Sequence, residues 1–377
     1  MTLEGTKPRV QIYHDYFAIR GGGERLALDL AQALSAELIY GYRTEESYED
    51  SAFPPRHKDL RMGQLKRIVG AASVALAPAF AAQQGYALGA EARVFSGVAA
   101  PFAAPAADKA GVNIFYCHTP PRFLYDQKDF FRERSRGVKR IGLDVVGPVF
   151  RRAYEHAVGR MHVIVANSEN IRSRIRRHLR RDSVVVYPPV DTHGFRWEPA
   201  QGYYLSTARL TPLKRIATII DAFRAMPDQK LVIASGGDDE TRLKARAEGA
   251  GNITFVGWTS DDELRALIAG AIATIYIPIE EDFGMSPVES MAAGKPVIGV
   301  AEGGVLETVQ PGETGLLLPA SPGVSDLIKA VKALPAERAL GMRQACEARA
   351  AEFGAAKFAD SMRAIVSQAI EDRALQV

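Results

Sequence analysis

Only two cysteines occur in 377 residues, Cys117 and Cys346, far apart and without metal-ligand spacing. A reduced cytoplasm is therefore the expected setting. Long apolar runs are missing too. None reaches the length of a membrane span, and the leading MTLEGTKPRVQIYHD has no signal-peptide core. No short-period repeat is present. The dinucleotide fingerprint G-x-G-x-x-G is absent, and no acidic residue ends a clear second strand at the distance it requires. No Asp-x-Asp stands at a strand end, since Asp238-Asp239 and Asp261-Asp262 both read as helix-entry acids. These gaps argue against secreted, membrane-spanning and dinucleotide-binding proteins.

What is present fits a soluble globular chain: 47% hydrophobic and 24% charged residues, at a length that suits two domains. The net charge of +3 hides an asymmetry. Residues 131–181 hold fourteen Lys/Arg against four Asp/Glu, an excess of +10, which leaves −7 for the remainder. Such a block raises nucleic acid as a partner. Its aromatics, Phe131, Phe150 and Tyr154, lack the spacing of a stacking platform, so no nucleic acid is expected.

The pattern is one of strands alternating with helices, in two series. In the first, Val10 to Tyr13 reads as a strand, and Gly21-Gly22-Gly23-Glu24-Arg25 opens a helix with Leu26, Leu30, Ala33 and Leu34 on one face. Residues 51–90 read as one or two helices with Arg56, Lys58, Arg61, Lys66 and Arg67 at their leading end, and 99–107 as a loop. Val112 to Cys117 is a strand that ends at His118. Val163 to Ala166 precedes a helix carrying Ile171, Ile175 and Leu179. In the second series, strands are expected at 203–206, 230–235, 253–256, 271–278 and 297–300. Two successive series imply an α/β fold of two Rossmann-like domains.

Tyr276 to Pro296, YIPIEEDFGMSPVESMAAGKP, is the most informative stretch. Glu281 follows an apolar strand. Ser286 reads as a helix N-cap, Pro287 as the first helical residue and Gly294 as the stop, which puts Glu289 at the third helical position. In open α/β sheets ligands bind at this end of the strands, and a helix N-terminus there attracts phosphate. Two carboxylates beside an anion site suit sugar or ribose hydroxyls. Ser-x-x-Glu is also a capping box, in which Glu289 would only reach back to Ser286.

Glu281 and Glu289, with seven residues intervening, Phe283-Gly284 among them and Gly294-Lys295-Pro296-Val297 after, resemble the signature of retaining GT-B glycosyltransferases of family four. The string CHTPPRFLYD, from Cys117 to Asp126, resembles bacterial polysaccharide mannosyltransferases of that family. The likeness covers most of the chain, weakly over 40–110 and strongly over 203–318. It implies an acceptor-binding domain over 1–187, a linker over 188–202 and a nucleotide-sugar-binding domain over 203–355, with the active site in a cleft between the two. The helix over 356–377 would either close the second domain or cross back to the first.

The resemblance also assigns roles. Arg209 and Lys214 would stabilise the leaving diphosphate, with Gly22 near it. Glu281 would hold donor-sugar hydroxyls, aided by the backbone N–H groups of Phe283, Gly284 and Met285. Glu289 would take the ribose, Trp258 would lie near the base, and His118 would contact the sugar. Gly21, Gly23, Arg122 and Tyr125 would lie on the acceptor side. GDP-mannose is the preferred donor, with UDP-glucose or another nucleotide sugar as alternative, and neither metal nor other cofactor is expected. A sugar-nucleotide epimerase on the same paired architecture is the rival enzyme class. The six arginines between Arg172 and Arg181, flanking the Ile171-Ile175-Leu179 stripe, point to an anionic membrane surface. That suggests a lipid-linked glycan acceptor and a peripheral place on the cytoplasmic membrane's inner face.

Overall fold

The computed structural model describes residues 8–64, 72–192 and 194–375. The chain divides into two compact units: one runs to Pro188 and takes in Ala356 onward, the other is Pro189–Ala355.

Among the described residues the first unit has seven strands: β1 Val10–His14, β2 Glu37–Tyr40, β3 His57–Asp59, β4 Ala92–Ser96, β5 Val112–Cys117, β6 Val163–Ala166 and β7 Val184–Val185. All pair in parallel, in the order β3-β2-β1-β4-β5-β6-β7. Helices of eight residues or more are α1 Gly22–Ala33, α2 Ala72–Ala81, α3 Val138–Val158 and α4 Glu169–Leu179. Every residue of β1, β4 and β5 is buried, because helices cover both faces of the sheet. Val10 and Ile12 face the core that α1 fills with Leu26 and Leu30, whereas Tyr13 faces the other core, with Leu76, Phe80, Tyr154 and Ile171.

The described residues of the second unit form six strands: β8 Tyr203–Ser206, β9 Lys230–Ile233, β10 Ile253–Phe255, β11 Thr274–Ile275, β12 Val297–Val300 and β13 Gly315–Leu318. Their order is β10-β9-β8-β11-β12-β13, again all parallel. Its longer helices are α5 Ile216–Arg224, α6 Asp261–Gly270, α7 Met285–Ala292, α8 Val324–Ala333 and α9 Arg343–Ala351. A last helix, α10 Ala355–Ala374, sends Phe358, Met362, Val366 and Ala369 into the core beneath α1.

Several sequence expectations need correction. The 51–90 stretch is not purely helical, since β3 lies within it and places Lys58 on an edge strand. Its expected basic lead at Lys66 and Arg67 falls outside the described residues. Residues 99–107 hold a buried 3-10 turn, Ala100–Ala103, rather than a plain loop. Within the expected linker, 188–202, contacts run to the second unit. Val190 N–H donates to Phe353 O at 2.9 Å, and Lys295 Nζ donates to Glu198 O at 2.6 Å.

Candidate functional site

Each sheet reverses its strand order once, between β1 and β4 in the first unit and between β8 and β11 in the second. In open parallel sheets the crevice at the carboxyl ends of those strands is where ligands bind. The expected site residues divide between the two units.

In the second unit, Lys214 closes the 3-10 turn Pro212–Lys214 after β8, and Glu281 lies in the loop after β11. The Lys214 ammonium is ion-paired with the Glu281 carboxylate and donates to the Tyr276 hydroxyl at 3.0 Å. It also lies 5.1 Å from the centroid of the Tyr276 ring. Burial, and then the Glu281 charge, push the Tyr276 phenol well above its ordinary range, so it remains protonated.

The loop that carries Glu281 is fixed by residues the sequence did not single out. Arg215, next to Lys214, donates through Nη1 to Ile277 O at 3.2 Å and Pro278 O at 3.0 Å. Its Nη2 reaches Glu302 and Ala320 O, each at 2.9 Å. Glu302 in turn accepts the Glu280 N–H at 2.6 Å. Gly304 N–H donates to Glu281 O at 2.8 Å. Gly303 has φ +59°, and a Cβ there would stand 2.5 Å from that same oxygen. Only a glycine lets the β12 loop approach so closely. The one sequence hint was the adjacency of two bases at 214 and 215, which cannot say which of them faces the loop.

The helix after Glu281 starts earlier than expected. Its N-cap is Gly284, at φ +92°, and its first residue is Met285, with no side-chain cap. Ser286 and Pro287 are therefore the second and third helical positions, and Glu289 is the fifth. The left-handed Gly284 turns the chain into the helix, and Pro287 fits the first turn because its missing N–H would have no intrahelical partner. This removes the capping-box reading of Glu289. A true capping box stands on α6 instead, between Ser260 and Glu263. Ser290 fastens α7 to the sheet, accepting from Thr274 Oγ1 at 2.8 Å and donating to Lys295 O at 3.1 Å.

Burial raises the Glu289 carboxyl to about 7, with Asp261 and Asp191 adding to the rise and Arg265 opposing it. Arg209 is exposed and forms no ion pair among the described residues. Trp258, after β10, is 70% exposed and lies against Gly236, after β9. Phe283 is buried, its ring 5.4 Å from that of Phe353.

In the first unit the reversal gathers His14 at the end of β1, Ser96 at the end of β4 and, one strand further, His118 after β5. Ser96 Oγ is 2.7 Å from His118 Nε2 and 3.1 Å from His14 Nδ1. Burial lowers His14 to about 3, with His118 adding to it, and burial lowers His118 to about 4. Both rings are neutral at physiological pH. Asp15 accepts N–H bonds of 2.8 Å from each of Val98, Ala99 and Ala100, tying the β1 end to the β4 loop. Gly97 turns that loop at φ +121°, where a Cβ would collide with the Asp15 carboxylate.

Gly21 is the N-cap of α1 and Gly22 its first residue. A Cβ on Gly23 would lie 3.8 Å from His118 Cε1, so the glycine loop borders the histidine. Arg122 and Tyr125 enter another network. Arg122 pairs with Asp126 at 3.2 Å, Asp126 with the buried Arg174 at 3.7 Å, and the Tyr125 hydroxyl donates to Glu155 at 3.1 Å. His14 and Ser96 went unnoticed in the sequence because β4 itself was not recognised there.

A cavity of about 680 Å³ in the first unit is lined by Arg25, Asp29, Tyr48, Phe53 and Arg56, and holds none of the expected site residues. Among the described residues no three His, Cys, Asp or Glu side chains converge as a metal set.

Residues 194–353 match the family model described as "Glycosyl transferases group 1". The second unit belongs to the group 1 glycosyl transferases. In this group 1 domain the family match spans Lys214, Arg215, Glu281 and Glu289 together. The chain is 27% identical over 265 residues to alpha-1,3/1,6-mannosyltransferase ALG2 of Dictyostelium discoideum, covering 58% of this chain and 60% of that protein. It is 30% identical over 203 residues to a Mus musculus enzyme named GDP-Man:Man(3)GlcNAc(2)-PP-Dol alpha-1,2-mannosyltransferase, covering 46% and 41%. The matches thus span roughly half the length of these curated relatives. Among solved structures, HepE of Anabaena in complex with UDP and glucose superposes with a TM-score of 0.73 at 16% identity, covering 96% of this chain and all of that one. Both units are thus Rossmann-like, parallel-sheet domains of GT-B type.

Proposed function

We propose that the chain transfers mannose from GDP-mannose to a polyprenyl-diphosphate-linked glycan, with retention of anomeric configuration. One observation carries this reading: the Lys214–Glu281 pair at the strand reversal of a group 1 domain. The leaving group is a nucleoside diphosphate, and negative charge grows on its bridging oxygen as the glycosidic bond breaks. A cation fixed beside that oxygen acts most strongly in the transition state. Lys214 fills this role, and the exposed Arg209 supplies a second cation for the diphosphate.

Glu281 accepts from hydroxyls of the donor sugar, and the backbone N–H groups of Phe283, Gly284 and Met285, at the amino end of α7, add donors. Glu289, half-protonated near neutrality, both donates to and accepts from the ribose hydroxyls. Trp258 offers an exposed ring to the base. His118 contacts the sugar as a neutral imidazole. The acceptor hydroxyl attacks the face from which the diphosphate leaves, and its proton passes to the departing phosphate. No carboxylate serves as a covalent nucleophile.

The donor and acceptor classes are supported by the mouse relative, whose name gives GDP-Man and a PP-Dol-linked glycan. A lipid-linked acceptor suits a peripheral protein on the inner face of the cytoplasmic membrane. Among the described residues no helix is long and apolar enough to cross one.

A thermal-shift screen tests the donor. A ligand at a hundred times its dissociation constant stabilises by about 2.7 kcal/mol, so GDP and GDP-mannose should raise the melting point and UDP-glucose should not. Release of GDP that depends on acceptor separates transfer from epimerisation. No metal takes part in this scheme, and activity that disappears with a chelator and returns with Mg²⁺ or Mn²⁺ would contradict it.

A further inference from the structure

Helix α3 has two unlike faces. Phe150, Tyr154, Ala157 and Val158 are buried. On the other side Ile141, Val145 and Val149 are 62%, 65% and 67% exposed, with Val146 beside them at 44%. Spacing of four residues puts the first three on one stripe, about 12 Å long at 1.5 Å per residue. Among the described residues no other helix carries more than one exposed large apolar side chain.

The charge around the stripe has one sign. The two nearby acids are already occupied: Asp144 is bonded to Arg132 at 2.8 Å and Glu155 pairs with Arg151 at 3.5 Å. Arg136, Arg140 and Arg152 are exposed and form no ion pair among the described residues. Arg140 adjoins one end of the stripe. Arg152, three residues beyond Val149, continues it at the other.

Helix α4, where the sequence suggested membrane contact, does not offer this. Its Ile171 and Ile175 are buried, Arg174 is buried against Asp126, and Arg172 and Arg176 share Asp182 at 3.1 and 3.0 Å. Arg172, Arg174 and Arg176 are thus paired within the unit, and the apolar stripe they flank is turned into the core.

We propose that α3 docks the first unit on an anionic lipid bilayer. The Ile141-Val145-Val146-Val149 stripe enters the headgroup–acyl boundary while Arg136, Arg140 and Arg152 meet lipid phosphates. A short apolar stripe or a few cations alone bind a membrane only weakly, whereas the two signals together give reversible docking. A second copy of the chain fits less well, because a two-fold contact through this stripe would set the same unpaired arginines against each other. The inference rests on the lipid-linked acceptor reading for its purpose, but the test does not use sugar transfer.

The test is sedimentation of the full chain with phosphatidylglycerol-containing vesicles and with pure phosphatidylcholine vesicles, at low and high salt. Binding is expected to the anionic vesicles alone and to fall at high salt, where the attraction is screened. The exposed-site variants V145D/V149D and R140E/R152E should each lower the bound fraction about tenfold, whereas R176E/R177E on α4 should change it by less than about twofold. Circular-dichroism melting checks that each variant is folded. Unchanged binding by V145D/V149D would overturn the proposal. So would equal binding to neutral vesicles, or a dimer that this variant converts to monomer without any vesicle binding. Vesicle binding that persists in a protein inactive towards GDP-mannose would count against the transferase reading and leave this one standing.

Discussion

The ammonium of Lys214 is bonded to the carboxylate of Glu281 across the point where the second sheet reverses its strand order. The two residues lie 67 positions apart, and β8 and β11, neighbours in the sheet, bring them together. Each orients the other, so their effects on turnover should not add. Lys214→Ala and Glu281→Gln should each lower kcat by about 10²–10³-fold with little change in GDP affinity. The double variant should fall well short of the product of the two losses. Steady-state kinetics with the four proteins measure this directly, and full additivity would mean that the pair does not act as a unit.

Arg215 should matter for stability as much as for rate. It is a half-buried cation that satisfies three carbonyls and Glu302, and Glu302 holds the Glu280 N–H. Arg215→Ala strands those acceptors and should cost about 2–3 kcal/mol. Arg215→Lys, a point charge without the fork, should restore only part of that. Urea unfolding would show both. A variant as stable as the parent would mean the loop is held by other contacts.

Glu289 links the site to pH. Its carboxyl is near 7 in the folded chain and 4.5 ordinarily, so between those values the folded state keeps a proton that the unfolded chain has lost. Stability from this group is therefore full below about pH 4.5 and declines as pH rises towards 7. Glu289→Gln removes the dependence. The melting temperature of the variant relative to the parent should climb from pH 5 to pH 8, and parallel curves would contradict the assignment.

Ser96 has a single proton to share between two neutral rings. With one proton and two lone pairs, it can donate to one imidazole nitrogen while accepting from the N–H of the other, an arrangement that couples the tautomers of His14 and His118. Ser96→Ala breaks that coupling and should lower kcat about tenfold, with the donor KM nearly unchanged. Ser96→Thr, which keeps the hydroxyl, should recover most of the loss. Nitrogen NMR of the histidines reports the tautomers. An unaltered His118 spectrum in Ser96→Ala would show that the serine does not position it.

How legible these features were in the sequence depends on how local their cause is. Val112–Cys117 and Val297–Val300 are short apolar runs ended by turn residues, and both stand as strands. Strand β3, His-Lys-Asp, is a polar edge strand with no periodicity to find. Helix α3 is interrupted by Gly142, Gly147 and Pro148 and exposes valines, so neither composition nor period marks it as a helix. Lys214, Glu281, Glu289 and His118 were accessible through motifs. Arg215, Ser96 and His14 were not, because their importance arises from chain segments 62 to 105 and 82 residues away. The Ser286 cap was misread for a local reason: a left-handed Gly284 can start a helix before the residue that best resembles a cap.

In the proposed function, the Lys214–Glu281 centre moves mannose from a guanosine diphosphate donor. The most direct measurement is incubation of the full chain, and of Glu281→Gln, with radiolabelled GDP-mannose and a polyprenyl-diphosphate-linked glycan, counting label in the lipid phase. Label should accumulate with the parent protein and fall by about 10²-fold or more with the variant, while both still bind GDP. Label that accumulates equally fast with both proteins, or with neither, would contradict it.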